Sequence, residues 1–118
     1  MIYLASPYSG TPEKMQERFE ATELFLSQEI ARRYAAERYF PGALDLSIVS
    51  PIIHMHSLAE KYKLPTTTDF WWEYNKGLLD VAGSLLVLKL SNWDQSKGVQ
   101  REIGYATGLG LEINYAEQ

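Results

Sequence analysis

The chain has 118 residues, 46% of them hydrophobic and 13% aromatic, with a formal net charge of −4 and no cysteine. One domain spanning residues 1–118 is the expectation at this length; the absent thiols exclude disulfides and cysteine nucleophiles, and an acidic chain without a basic run argues against binding a nucleic-acid polymer. There is no apolar stretch near the length of a membrane span and no basic-then-apolar leader, so we expect a soluble, cytoplasmic protein that does not engage a membrane.

Ile2–Ala5 is a short apolar run stopped by Ser6-Pro7-Tyr8-Ser9-Gly10, the pattern of a strand buried on both faces. Thr11-Pro12-Glu13 then combines a capping residue, Pro at the first helical position and an acid in the first turn. Met15, Phe19, Leu26, Ile30 and Tyr34 mark one face of a helix running to about Arg38. Such length predicts that the helix overhangs the sheet and packs its far end on another subunit. Pro41-Gly42 breaks the chain. Ser47–Ser50 reads as a second strand ended by Pro51, Ile52–His56 as a loop, and Ser57–Lys63 as a short helix. Thr66–Asp69 caps a helix over Phe70 to about Val81. A strand over Ser84–Leu90, a helix from about Lys97 to Leu109 and a last strand over Glu112–Tyr115 complete the chain. Strands alternating with helices mean a parallel sheet with right-handed crossovers. The expected fold is an α/β three-layer sandwich, flavodoxin/Rossmann-like, with four parallel strands in the order 2-1-3-4. Its switch point lies between strands 1 and 3, where the loops Ser6–Gly10 and Ser91–Ser96 meet.

The second of these loops is the more informative. Ser96 is a good N-cap, the free N–H groups behind it suit an anion, and Gly98 lets a ligand approach the backbone closely. Glu102 lies six residues past Ser96, ~9 Å along the helix axis. A phosphate at the helix start and a carboxylate that far down can touch opposite sides of one ribose. On spacing alone, Ser96 as a mere cap and Glu102 as a solvated acid remain open. G-x-G-x-x-G after strand 1 and a Walker A sequence are both missing, which argues against an ordinary dinucleotide oxidoreductase or P-loop enzyme. His54 and His56, at i and i+2 in an extended segment, point to opposite sides and make a poor metal pair, so no metal site is expected. A Ser-His-Asp triad lacks its G-x-S-x-G setting. What remains is a carboxylate with hydroxyls and aromatics. A carboxylate can attack an anomeric carbon to give a covalent glycosyl-enzyme. Tyr3 is placed to orient it, or else packs in the core. Eight Tyr and three Trp exceed what a small core absorbs, and some of them suit a cleft or subunit interface.

Ile2-Tyr3-Leu4-Ala5-Ser6-Pro7-Tyr8 and Ser96-Lys97-Gly98-Val99-Gln100-Arg101-Glu102-Ile103-Gly104-Tyr105-Ala106 resemble, in order and spacing, the two signatures of the nucleoside 2-deoxyribosyltransferase-like superfamily. The wider pattern, with Arg18-Phe19 in the first helix and Asn92-Trp93 before the second signature, is similar to a small bacterial and phage branch near the 2′-deoxynucleoside 5′-phosphate N-hydrolases. The resemblance implies that Glu102 is the nucleophile on C1′, with Tyr3 beside it and Ser96 on a 5′-phosphate. It implies transfer of the sugar to a second base or to water, no cofactor, and a homodimer or higher homo-oligomer whose neighbouring subunits help close the site. Ser6, Pro7, Tyr8, Ser9, Gly10, His56, Trp93, Asp94, Ser96 and Gly98 form the expected pocket for a nucleoside or nucleotide. Arg18 is close enough to help, or is an ordinary solvated helix residue. Trp71, Trp72 and Trp93 are candidates to stack on the base. One departure stands out. Relatives carry an Asp on the helix before strand 3 that assists the leaving base; the equivalent position falls near Asn75-Lys76. Asp80, about one turn later, is the expected substitute, with Asp69 and Asp94 as further candidates. The rival expectations are a non-catalytic nucleotide-binding module of the same fold and a structural homo-oligomer without a small ligand.

Overall fold

A computed structural model describes residues 1–118. Four strands, β1 (Ile2–Ala5), β2 (Ile48–Val49), β3 (Ser84–Leu88) and β4 (Glu112–Ala116), alternate with helices α1 (Pro12–Tyr39), α2 (Pro51–Tyr62), α3 (Thr68–Val81) and α4 (Lys97–Gly108). The strands form one parallel sheet in the order β2-β1-β3-β4. The fold is therefore the expected α/β, Rossmann-like sandwich.

The two central strands are apolar without interruption because both of their faces are covered. On one face, Tyr3, Ala5, Leu85 and Val87 pack against Leu79 of α3 and Val99 and Ala106 of α4. On the other, Leu4 and Leu88 meet Ala21, Phe25 and Leu26 of α1. A third cluster joins Tyr8, Met55, Ala59 and Trp71, tying α2 to α3 past the ends of the strands. No helix is long and apolar enough to cross a membrane.

Two expectations need correction. Ile52–His56 is not a loop: α2 starts at Pro51, and the Ser50 hydroxyl caps it by accepting the Ile53 N–H at 3.3 Å. This is the same cap-then-Pro signal that starts α1, where Thr11 accepts the Lys14 N–H at 3.2 Å. It leaves β2 with two residues. The Ser84–Leu90 strand also stops early, because beyond Leu88 the chain turns and the Leu90 N–H bonds back to the Leu88 carbonyl at 2.9 Å.

α1 is 28 residues long, about 42 Å at 1.5 Å per residue. The face read from its sequence holds through Leu26. Ile30 and Tyr34, past the sheet, are exposed, while Arg33 of the same turns faces the chain that leads to β2. There Arg33 donates to the Asp45 carbonyl at 2.9 Å and to Glu29 at 3.0 Å. Leu24, over the sheet, and Tyr39 and Phe40, at the far end, are exposed as well.

If Ser50 starts α2, Ser50→Ala should lower the unfolding free energy in urea by about 1 kcal/mol, the usual cost of losing an N-cap. Ser57→Ala, at an exposed mid-helix position, should change it by less than about 0.5 kcal/mol. Equal effects would return the helix start to Ser57.

Candidate active site

Strand order sets the site. β1 lies beside β3, so the loops leaving their carboxyl ends open on one crevice, and α4 starts there. Glu102 sits in the second turn of α4 on the face turned to the sheet, with Val99 and Ala106 as its buried neighbours on the helix. Tyr3 projects to the same face from β1. The Tyr3 hydroxyl donates to Glu102 Oε2. Tyr3 is fully buried and Glu102 only 9% exposed. Burial pushes the Glu102 carboxyl up to about 7, and the hydrogen bond from Tyr3 pulls against that rise. Burial, with the Glu102 charge adding, holds the Tyr3 phenol far above its ordinary range, so Tyr3 serves as a fixed donor.

Glu102 forms part of a cleft of about 560 Å³, counted to its open mouth. Ser6, Tyr8 and Ser9 line it from the loop after β1, and Pro51, Ile52 and Met55 from the first turns of α2. Thr66, Thr67, Thr68, Trp71, Trp72 and Asn75 line it from α3 and its approach, and Ser96, Gly98 and Glu102 from α4. The cleft runs on past Ser9, Thr68, Ser96 and Gly98 into a recess with no apolar lining. That recess is completed by Arg18, Asn92, Gln95 and Lys97.

The recess presents hydrogen-bond donors and positive charge, an arrangement that suits an anion. Ser96 caps α4 by accepting the Val99 N–H at 3.2 Å, which uses the hydroxyl oxygen and leaves its hydrogen for a ligand. The N–H groups of Lys97 and Gly98, in the first turn, have no intrahelical acceptors. A Cβ on Gly98 would stand 3.4 Å from Thr68 Oγ1 and 3.9 Å from Ser96 Oγ, so the bare glycine keeps two hydroxyls open to the same space. Arg18 is not a free surface residue. It donates to the Ser9 carbonyl at 2.7 Å and to the Ser91 carbonyl at 3.4 Å, fastening the loop after β1 to the loop after β3.

Along the deeper wall, the Trp71 indole N–H is fixed on the Pro65 carbonyl at 2.7 Å. Trp72 lies edge-on to Tyr105 with the Arg101 guanidinium 4.2 Å over its ring. Asn75 Oδ1 is the one buried side-chain polar atom without a hydrogen-bond partner. An orphaned acceptor in a cleft wall is costly unless a ligand or water satisfies it.

Of the residues expected from sequence, the cleft gathers Ser6, Tyr8, Ser9, Ser96, Gly98 and Glu102, with Tyr3 behind Glu102. Others lie elsewhere. Pro7 is buried outside the cleft lining. Gly10 is exposed, and a Cβ there would press on the Lys14 side chain at 3.1 Å. Trp93 packs against the Tyr115 ring, and Asp94 is exposed with its carbonyl taken by Gln100. His56 faces away from the cleft, stacked on Phe19 at 4.3 Å; it sits on a helix, so its spacing from His54 is not the extended one.

Asp80 also misses the cleft. It is five residues past Asn75, about 140° further round a helix, so it is exposed and accepts the Tyr105 hydroxyl. Asp69 is exposed and ion-paired with Arg101 at 2.8 Å. No carboxylic acid other than Glu102 lines the cleft.

Reading the sequence missed Thr66–Thr68 as lining and Pro51, Ile52 and Met55 altogether. The threonines read as caps, which Thr67 is, accepting the Phe70 N–H at 3.4 Å; the others followed the loop assignment of Ile52–His56.

The chain belongs to the family described as domain of unknown function (DUF1937), which matches residues 1–117. No curated protein matches the chain.

The buried carboxyl has a consequence for stability. Its pKa is raised in the fold, so the stabilisation is full below the unfolded value near 4.5 and is lost as pH rises through about 7. The full swing is about 3 kcal/mol. Glu102→Gln should therefore match the wild type in urea unfolding at pH 4 and exceed it by about 3 kcal/mol at pH 8. A difference that does not change with pH would mean that Glu102 is ordinarily solvated.

Proposed function

We propose that the protein cleaves the N-glycosidic bond of (deoxy)nucleosides or their 5′-monophosphates, or transfers the sugar across it, with Glu102 as nucleophile. The observation that carries this reading is the buried Tyr3–Glu102 pair at the floor of a cleft that is polar at one end and aromatic at the other. Tyr3 occupies one carboxylate oxygen and leaves the second to attack C1′. As the Glu102–C1′ bond forms, the C1′–N bond breaks, and the ester is then released to water or to a second base. The positive charge that develops on the sugar favours the ionised carboxylate, against the burial that raises the Glu102 carboxyl to about 7 in the free protein.

The recess around Ser96, Lys97 and Gly98 suits the 5′-phosphate, with Ser96 six residues before Glu102, about 9 Å along the helix axis. That points to the nucleotide-handling side of the nucleoside 2-deoxyribosyltransferase-like superfamily, which the two sequence signatures resemble. Trp71 and Trp72 suit a base on the opposite side. No cofactor enters such a reaction, since a carboxylate and an acid suffice. Nucleoside monophosphates are cytoplasmic metabolites, and we place the protein with them.

A second reading is favoured by Asn75. With an amide in the wall and no carboxylic acid beside Glu102, the fold can serve as a non-catalytic nucleotide-binding module. Incubating deoxynucleosides and their 5′-monophosphates with the wild type and Glu102→Ala, followed by chromatography, separates the two. We expect free base from the monophosphates, or exchange between bases, and loss of both in the variant by at least about 1,000-fold. Intact substrates with both proteins, alongside a rise in melting temperature with a monophosphate, would leave only the binding module.

The overhanging α1 carries exposed Leu24, Ile30, Tyr34, Tyr39 and Phe40, more apolar surface than one solvated helix usually shows, and we read it as a homo-oligomer contact. Light scattering should give at least twice the 13.5 kDa chain mass; a particle of one chain mass would refute it.

A further inference from the structure

Cleaving a C1′–N bond releases a base that must be protonated or leave as an anion, and the cleft offers few groups for this. Of the side chains that line it, only Glu102 and Tyr8 titrate, and Glu102 is committed to the sugar. We propose that Tyr8 is the general acid that protonates the departing base, and that His56 is the positioning residue that supplies its proton. The inference rests on the glycosidic reading above.

The hydrogen-bond chain behind Tyr8 assigns the protons. Gln16 Nε2 donates to Glu20 Oε1 at 3.1 Å, which turns Gln16 Oε1 toward His56 Nε2 at 3.0 Å. The Glu60 carboxylate lies 3.3 Å from the same nitrogen. Both neighbours accept, so Nε2 carries a hydrogen. In the neutral ring Nδ1 is then bare, and it accepts the Tyr8 hydroxyl across 2.6 Å. The Tyr8 proton is held away from the cleft in this state.

Protonating His56 reverses that bond. Nδ1–H now points at the phenol oxygen, and the Tyr8 hydrogen must turn elsewhere. Tyr8 lines both the cleft and a crevice on its far side shared by Gln16, His56 and Glu60, and turning to the cleft side brings the hydrogen to a bound base.

The step balances. The Tyr8 proton goes to the base nitrogen as the C1′–N bond breaks, the His56 Nδ1 proton goes to the Tyr8 oxygen, and neutral His56 regains a proton from solvent beside exposed Glu60. Glu60 and Tyr8 are the titratable groups that face the ring; Phe19 of α1 covers it by stacking. Burial, with the Glu60 charge adding, raises the phenol above its ordinary range, so it reaches neutral pH as O–H.

The test compares two leaving groups. A 2′-deoxynucleoside 5′-monophosphate needs a proton on its base. The 7-methyl derivative of 2′-deoxyguanosine 5′-monophosphate does not, because its base departs neutral. Tyr8→Phe should slow release of the unmethylated base by at least about 100-fold and the methylated one by less than about 10-fold, while Glu102→Ala abolishes both. His56→Gln should likewise slow release of the unmethylated base more than that of the methylated one. Equal slowing of both substrates by Tyr8→Phe, or none, with the variant folded by its melting curve, would overturn the acid while leaving the glycosidase standing. A wild type that releases neither base would take the glycosidase down and this inference with it.

Discussion

A carboxyl group inside the core is the constraint on which the rest of this structure turns. Glu102 occupies a helix position that the spacing of Val99 and Ala106 assigns to the interior, and an ionised group there is costly. It is tolerable because one hydroxyl, from a strand 99 positions away in sequence, donates to it. That donor must come from β1, β1 must lie beside β3, and α4 must cross the sheet at the angle that brings its second turn over Tyr3. The parallel order β2-β1-β3-β4 meets all three conditions, and the stability given up at neutral pH is the usual mark of a residue kept for something other than folding.

Around that pair the cleft divides by chemistry. At one end stand hydroxyls, backbone N–H groups and two cations, from the loops that follow β1 and β3 and the first two turns of α1, α3 and α4. At the other stand two tryptophans and an amide on α3. A ligand that satisfies both ends must be amphipathic along its length, with an anion on one side and a flat, hydrogen-bonding ring on the other. The orphaned Asn75 oxygen is the one place in the wall where the protein alone fails to complete its own hydrogen bonding.

The legible parts of the fold were those in which one local signal had one meaning. β1 and β3 are unbroken apolar runs, and Thr11-Pro12 marks a helix start. Ser50-Pro51 carries the same signal, but a strand pattern ran directly into it and masked the cap, so three lining residues of α2 were lost with it. In the site, Ser96 and Glu102 were legible because both lie on one helix, where spacing converts to distance. Asp80 shows the converse: nearness in sequence is not nearness in phase, and five residues turn a helical side chain to the far side. The pairing of Tyr8 with His56 spans 48 positions and depends on how α2 docks, which no local pattern encodes.

Arg18 gives the polar end a property of its own. Two of its five N–H donors go to the carbonyls of Ser9 and Ser91, which orient the guanidinium without cancelling its charge. Neither Arg18 nor Lys97 has a carboxylate within ion-pair distance. The recess thus holds two uncompensated cations on a chain of net charge −4. Their attraction for an anion is long-ranged and weakens as added salt screens it. The same guanidinium that holds two loops in register also charges the mouth they form.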